Sequence, residues 1–216
     1  MDRRKALKTI GYGSGAITLT PAVIGLFHSC QNNSSNFFPE YFNKKNQFSI
    51  VSQLMELIIP ETEIPGAINL KLPEFLDGYI STVFSDKRKI KISKGLESFI
   101  EVSLFDSEKT DANKLTNQDL DFQLAKYLKA DFKKKNSWKK EDSDYQKALK
   151  NKSKATKIPK EALAYGFANQ LRALSITAFR TNEYIGENVL AYVPIPGEQR
   201  GCVDLMETTG GKIWSL

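Results

Sequence analysis

Four carboxylates, Glu61, Glu63, Glu74 and Asp77, fall within seventeen residues and come nearest to an acid–base set in this chain. General acid–base chemistry needs such groups held at one reacting centre with their pKa values pushed apart. Glu74 and Asp77, however, follow Pro73, a residue suited to the first turn of a helix. Carboxylates are stabilised there by the positive end of the helix dipole, so capping accounts for these two without catalysis. The single histidine, His28, and the first of two cysteines, Cys30, lie near the N-terminus; the second cysteine is Cys202. If the segment around His28 is removed, no imidazole remains for a nucleophilic pair, a general base or a metal site. Two cysteines build neither a CxxCH haem attachment, a thiolate zinc site nor an iron–sulfur set. Gly11-Tyr12-Gly13-Ser14-Gly15-Ala16 fits a dinucleotide fingerprint. That motif works only between a strand and a helix, and Met1–Ile10 is too short and too charged to supply the strand. No catalytic, cofactor-binding or metal residue is assigned, and any reaction would rest on carboxylate, lysine or tyrosine.

The opening residues carry an address. Asp2–Lys8 is a charged head containing Arg3 and Arg4, and Thr9–Phe27 has no charged side chain. Ser29-Cys30 closes the run, so residues 1–29 read as an export signal. The paired arginines favour the twin-arginine route, a receptor-read address for bacterial export of folded proteins. A permanent anchor is the alternative, but four glycines, Ser14, Thr18, Thr20 and Pro21 dilute a run that needs about 20 apolar residues. Phe27-His28-Ser29-Cys30 is a loose lipobox, which makes Cys30 the expected lipidation site; a spare leader cysteine is the other reading. Residues 30–47 begin with Gln31-Asn32-Asn33-Ser34-Ser35-Asn36 and read as a polar tether. Without residues 1–29 the formal charge falls from +6 to +3, with 27 basic against 24 acidic residues. The high pI then stops pointing at nucleic acid, and no nucleic-acid motif supports that partner.

The positioning elements are helical. Ser49–Ile59 gathers Ile50, Leu54, Leu57 and Ile58 on one face before Pro60 stops it. Glu61–Ala67, with Pro65-Gly66, is a rigid turn. A second helix starts at Pro73, with Phe75, Leu76, Tyr79, Ile80 and Val83 as its apolar side. A third carries Ile92, Leu96, Phe99, Ile100 and Phe105. Thr116 with Asp119 reads as a weak capping box for a fourth, continued by Leu120, Leu124, Tyr127, Leu128 and Phe132. Residues 133–157 are lysine-rich and read as a solvated helix–loop insertion, with an acidic partner or anionic surface as the alternative. Lys160–Phe179 is the most apolar helix and should be central. Val189–Val193 has strand character, but Pro194–Gly197 and Gly210-Gly211 predict an irregular arm with little sheet and with Trp214 packed on the body or a partner. The expected fold is mainly α: a single helical bundle over 48–216 with an irregular C-terminal arm, preceded by the leader.

Several of these segments resemble one family. Ile58-Ile59-Pro60-Glu61-Thr62-Glu63-Ile64-Pro65-Gly66-Ala67 is similar to its opening motif, and Leu72–Asp77 to its V-P-E-F-I-D helix start. Thr181, Glu183 and Gly186 resemble its T-x-E-x-G stretch, with Tyr184 as an extra residue. Tyr192–Gly197, Gly201-Cys202 and Trp214 resemble its closing motifs. The family is the gluconate 2-dehydrogenase subunit 3 type, small subunits of membrane-associated flavoprotein dehydrogenases. The resemblance implies a non-catalytic helical subunit that binds an FAD-dependent sugar or polyol dehydrogenase of the GMC type and accompanies it through the twin-arginine machinery. It further implies attachment to a bacterial membrane on the periplasmic side. FAD would belong to the large subunit, and whether a cytochrome c subunit joins is open. The interface is expected at Pro65, Gly66, Phe179, Thr181, Glu183, Tyr184, Tyr192, Pro196, Gly197, Cys202 and Trp214, for which core packing or turn chemistry is the competing account. Cys202 reads as a buried, inert thiol, or else as one half of a bridge to a partner. An independent sugar-binding or sugar-processing lipoprotein, or a structural envelope lipoprotein, stays open beside the subunit reading.

Overall fold

The computed structural model describes residues 37–44, 46–151, 157–193, 197 and 201–215. The leader readings, with Arg3, Arg4, His28 and Cys30, and the Pro196 expectation lie outside the described residues. Residues 39–216 form one compact unit, and Phe37 and Phe38 are counted with the preceding one.

The unit is mainly helical. In chain order the helices are α1 (Gln47–Ile58), α2 (Leu72–Val83), α3 (Asp86–Asp106), α4 (Asn117–Leu128), α5 (Phe132–Lys150), α6 (Lys160–Arg180) and the short α7 (Leu205–Thr209). No strand forms among the described residues; one parallel bridge joins Ala191 to Trp214. No described helix is long and apolar enough to cross a membrane.

The apolar girth read for Lys160–Phe179 places α6 at the centre, where it touches each of α1 to α5. Ala162, Ala164, Phe167, Ala168 and Leu171 are all buried on it. Aromatic contacts close a ring through four helices. Phe167 of α6 meets Phe99 of α3 at 5.7 Å between ring centroids, and Phe99 meets Tyr127 of α4 at 6.0 Å. Tyr127 meets Trp138 of α5 at 5.3 Å, and Trp138 returns to Tyr165 of α6 at 5.1 Å. Such pairs contribute about 0.5–1.5 kcal/mol each beyond their buried area. The α3–α6 crossing is close because Gly95 has no side chain: a Cβ there would lie 2.9 Å from the Phe167 Cβ.

Local signals explain the helix starts. Thr116 Oγ1 accepts from the Asp119 N–H (3.3 Å) and the Asp119 carboxylate accepts from the Thr116 N–H (2.7 Å), a complete capping box for α4. Lys109 donates to the same carboxylate. Asp131 Oδ1 accepts from the Lys134 N–H at 2.7 Å and starts α5. Phe132 therefore opens α5 instead of continuing α4, which ends at Leu128.

Other expectations are corrected. Residues 133–150 keep a solvated outer face, but Trp138 and Tyr145, seven residues apart, bury the inner face of α5 against α6, which the solvated helix–loop reading did not anticipate. The tether read over 30–47 gives way to packed chain at its C-terminal end. Asp77, itself fully buried, accepts the backbone N–H groups of Glu40 (2.7 Å), Tyr41 (3.2 Å) and Phe42 (2.8 Å), and Phe42 is in the core. On α2 only Leu76 and Ile80 of the predicted apolar side go inside, joined by Leu72, while Phe75, Tyr79 and Val83 face solvent. Phe105, expected on the apolar face of α3, is exposed at its last turn.

Candidate interaction surface

The loop after α1 is held from within. Glu56, on the last turn of α1, spreads its carboxylate across the loop: Oε1 accepts from the Glu61 N–H (3.1 Å) and Oε2 from the Ile68 N–H (2.8 Å). The Ala67 N–H donates to Ile59 O at 2.9 Å and the Thr62 N–H to Ile64 O at 3.0 Å. Gly66 is required by close approach, since a Cβ would lie 2.3 Å from Glu56 Oε1 and 2.6 Å from the Glu61 nitrogen. Pro65 is half-buried beside it. The carboxylate that organises this turn is Glu56, which sequence reasoning had passed over; its signal was a helix-end acid five residues before a loop N–H.

The end of α6 meets this loop. Asn182 Nδ2 reaches Leu70 O at 3.5 Å, a weak bond, and Phe179 packs half-buried against the core. Thr181 is exposed and its hydroxyl donates back to Thr177 O at 2.9 Å. Glu183 and Tyr184 are exposed. Ile185–Val189 then forms a π-helical turn, closed by the Leu190 N–H on Ile185 O at 2.9 Å. The wider turn takes up one more residue per turn than α-helix. It follows directly on Tyr184, the residue in excess over the motif.

The arm comes back to the same end. The Ala191 N–H donates to Ile213 O (2.9 Å) and the Ser215 N–H to Ala191 O (2.8 Å). A Cβ on Gly186 would lie 2.9 Å from the Ser215 hydroxyl. Within the arm, Asp204 caps α7 by accepting from Met206 and Glu207, and Gly210 ends it at φ +61°. The arm buries little: Tyr192, Val203, Leu205, Met206, Ile213 and Trp214 are all exposed. Gly197, at φ +64°, is exposed, and so is Cys202, a free thiol that is not the buried one expected. The fold thus gathers the Pro60–Ala67 loop, residues 181–193 and the Ile213–Ser215 strip at one end of the bundle. Phe75 and Tyr79, stacked at 5.8 Å, begin a line of exposed apolar side chains that Val83 continues along α2 from that end.

The carboxylates considered for acid–base chemistry are not an assembled set. Asp77 holds the 40–42 backbone and does not cap α2. Glu61 and Glu63 are exposed in the loop and Glu74 is half-buried on the first turn of α2. No group of three or more potential metal ligands occurs among the described residues.

A denser polar network lies elsewhere, where α3, α4 and α6 meet. Lys126 Nζ donates to Asp106 Oδ2 and Glu161 Oε1, both at 2.8 Å, and Tyr127 OH donates to Glu161 Oε2 at 2.9 Å. Gln123 Nε2 donates to Asp106 Oδ2 at 2.6 Å. Burial acts to lower the Lys126 pKa, but the two carboxylate hydrogen bonds outweigh it and the net direction is upward. Burial, then the Glu161 charge, pushes the Tyr127 hydroxyl up, so it stays a neutral donor. Each charge already has a partner inside the network, which makes it a tie between helices. A groove of about 310 Å³ between α3, α5 and α6 is lined by Lys94, Glu97, Glu101, Tyr145 and Lys160 among others. Glu97 and Glu101 are engaged there by Lys44 and Lys160, and Tyr145 is buried.

The profile of the family described as gluconate 2-dehydrogenase subunit 3 matches residues 45–197. The match starts earlier than the motifs quoted above and stops before Gly201-Cys202 and Trp214. No curated protein and no solved structure is significantly similar to the chain. A helical bundle whose motif loops meet at one end, matched by that profile over most of its length, belongs to the gluconate 2-dehydrogenase subunit 3 family.

Proposed function

We propose that this chain is the non-catalytic accessory subunit of an FAD-dependent, GMC-type sugar or polyol dehydrogenase. It binds the flavoprotein, accompanies it folded through the twin-arginine machinery, and helps hold it on the periplasmic side of a bacterial membrane through Cys30. The observation that carries the reading is the surface at the arm end of the bundle. There, exposed aromatic and aliphatic side chains stand on loops pinned by Glu56, Asn182 and the Ala191–Trp214 bridge. Pre-ordered loops presenting aromatic anchors are what a protein interface needs, because little ordering entropy is left to lose on binding. Family membership supports a place in a dehydrogenase complex. FAD is assigned to the partner on the family resemblance, in which the flavoprotein is the large subunit.

Co-expression tests this. The chain is produced with and without the flavoprotein encoded beside its gene, and FAD absorbance, export and dehydrogenase activity are followed. Co-purification of flavin with this chain, and loss of export when it is deleted, are expected. Unchanged export and activity after deletion, or turnover of a sugar or alcohol by the isolated chain, overturns the proposal.

A further inference from the structure

Neither the core nor the arm-end surface uses the outer face of α5. That helix carries seven lysines against three acids, and the acids are largely engaged. Asp142 pairs with Lys91 of α3 at 2.8 Å, Glu141 accepts from the Ser137 hydroxyl at 3.0 Å, and Asp144 lies 3.4 Å from Lys147. Lys135 donates to Leu128 O, and Lys134 sits over the Trp138 ring. At about 100° per residue, Lys133, Lys140 and Lys147 line up on the side away from Trp138, flanked by Lys139 and Lys150. Lys133, Lys139, Lys140 and Lys150 are exposed, and no described carboxylate lies within ion-pairing distance of them. The stripe runs for about 25 Å. Phe132, 79 % exposed, stands at its N-terminal end.

From this arrangement we propose that the outer face of α5 docks on an anionic phospholipid surface. A convex row of lysines without a groove offers mobile point charges and no planar fork for one chosen carboxylate, which suits a diffuse negative plane. Phe132 adds the apolar group that the headgroup boundary accepts. An acidic protein would instead call for buried aromatic or arginine anchors at the centre of the contact, and the stripe has neither. The inference does not depend on the flavoprotein partnership.

The test uses the chain from residue 30 onward as Cys30→Ser, so that neither the apolar leader nor a lipid anchor contributes, in flotation assays with vesicles. Partition onto mixed phosphatidylglycerol–phosphatidylcholine vesicles should exceed that onto phosphatidylcholine alone by about tenfold or more, and should fall with added salt. The K133Q/K139Q/K140Q/K150Q variant should lose the difference with an unchanged melting temperature. A control of equal charge change away from α5, K71Q/K87Q/K114Q/K212Q, should keep most of it. Equal binding to both vesicle types, retention by the α5 variant, or an equal loss by the control overturns the proposal. An α5 variant that floats normally but leaves the flavoprotein complex also overturns it, and makes the stripe a protein contact. Because the assay contains no flavoprotein, its failure leaves the subunit reading standing.

Discussion

Asp77 and Asp119 do unlike work with the same group. Asp77 takes three successive backbone N–H groups from a segment 35 to 37 residues upstream. Asp77→Ala leaves those donors unpaired, one of them buried, and should destabilise the unit by about 3 kcal/mol in urea melts. Hydrogen exchange at 40–42 should rise with it. Asp119 is held by Lys109 first, then by the Thr116 N–H and hydroxyl, which depress its pKa from 3.8 to about 2. A depressed carboxylate contributes stability that is complete above the unfolded value and fades as pH falls to the folded one. The wild type should therefore lose melting temperature between about pH 4 and pH 2 through this group, and Asp119→Asn should show a shallower loss across that window. The Thr116–Asp119 pair was legible because capping is local, three residues apart. The role of Asp77 was not, since only the fold brings residues 40–42 to it.

At the scale of elements, period and punctuation revealed most of the bundle. Helical spacing placed α1, α3, α4 and α6, and Pro60 and Thr116 marked boundaries that the structure keeps to within a residue or two. Two misreadings share one cause. Apolar residues were assumed to seek the interior, yet Phe75, Tyr79 and Val83 stay outside while the lysine-rich α5 is pinned by Trp138 and Tyr145. One large knob on a polar helix outweighs its mean hydropathy. Trp138→Ala should accordingly cost about 3–5 kcal/mol and loosen α5, read as faster amide exchange over 132–150. Gly95→Ala tests the α3–α6 crossing. The new methyl meets the stiff Phe167 Cβ, and a loss of about 1–3 kcal/mol is expected in thermal or urea unfolding.

For the molecule as a whole, charge and apolar surface are separated. The lysine helix packs on the first half of α6, with Trp138 at Tyr165, fifteen residues or about 22 Å before Arg180. The arm-end surface lies beyond Arg180 and carries Glu183, Glu187, Asp204 and Glu207. Phe75→Ser with Val83→Ser removes mainly exposed apolar area, together with the Phe75–Tyr79 stack. Melting should shift by no more than a few degrees, while flavoprotein recovered with the chain should drop about tenfold or more. The parts of this surface were visible in the sequence as separate motifs. Their meeting was not, because it depends on a 3.5 Å contact between residues 112 apart and on a bridge that brings the last residues home.

The Asp77 clamp has a mechanical corollary. The first clamped amide, at Glu40, is only ten residues on from Cys30, and a fully extended chain over that interval spans at most about 36 Å. With Cys30 acylated, the folded body would live on a short leash. It could not drift away from the bilayer by much more than its own width, and any catalyst riding on it would share that confinement.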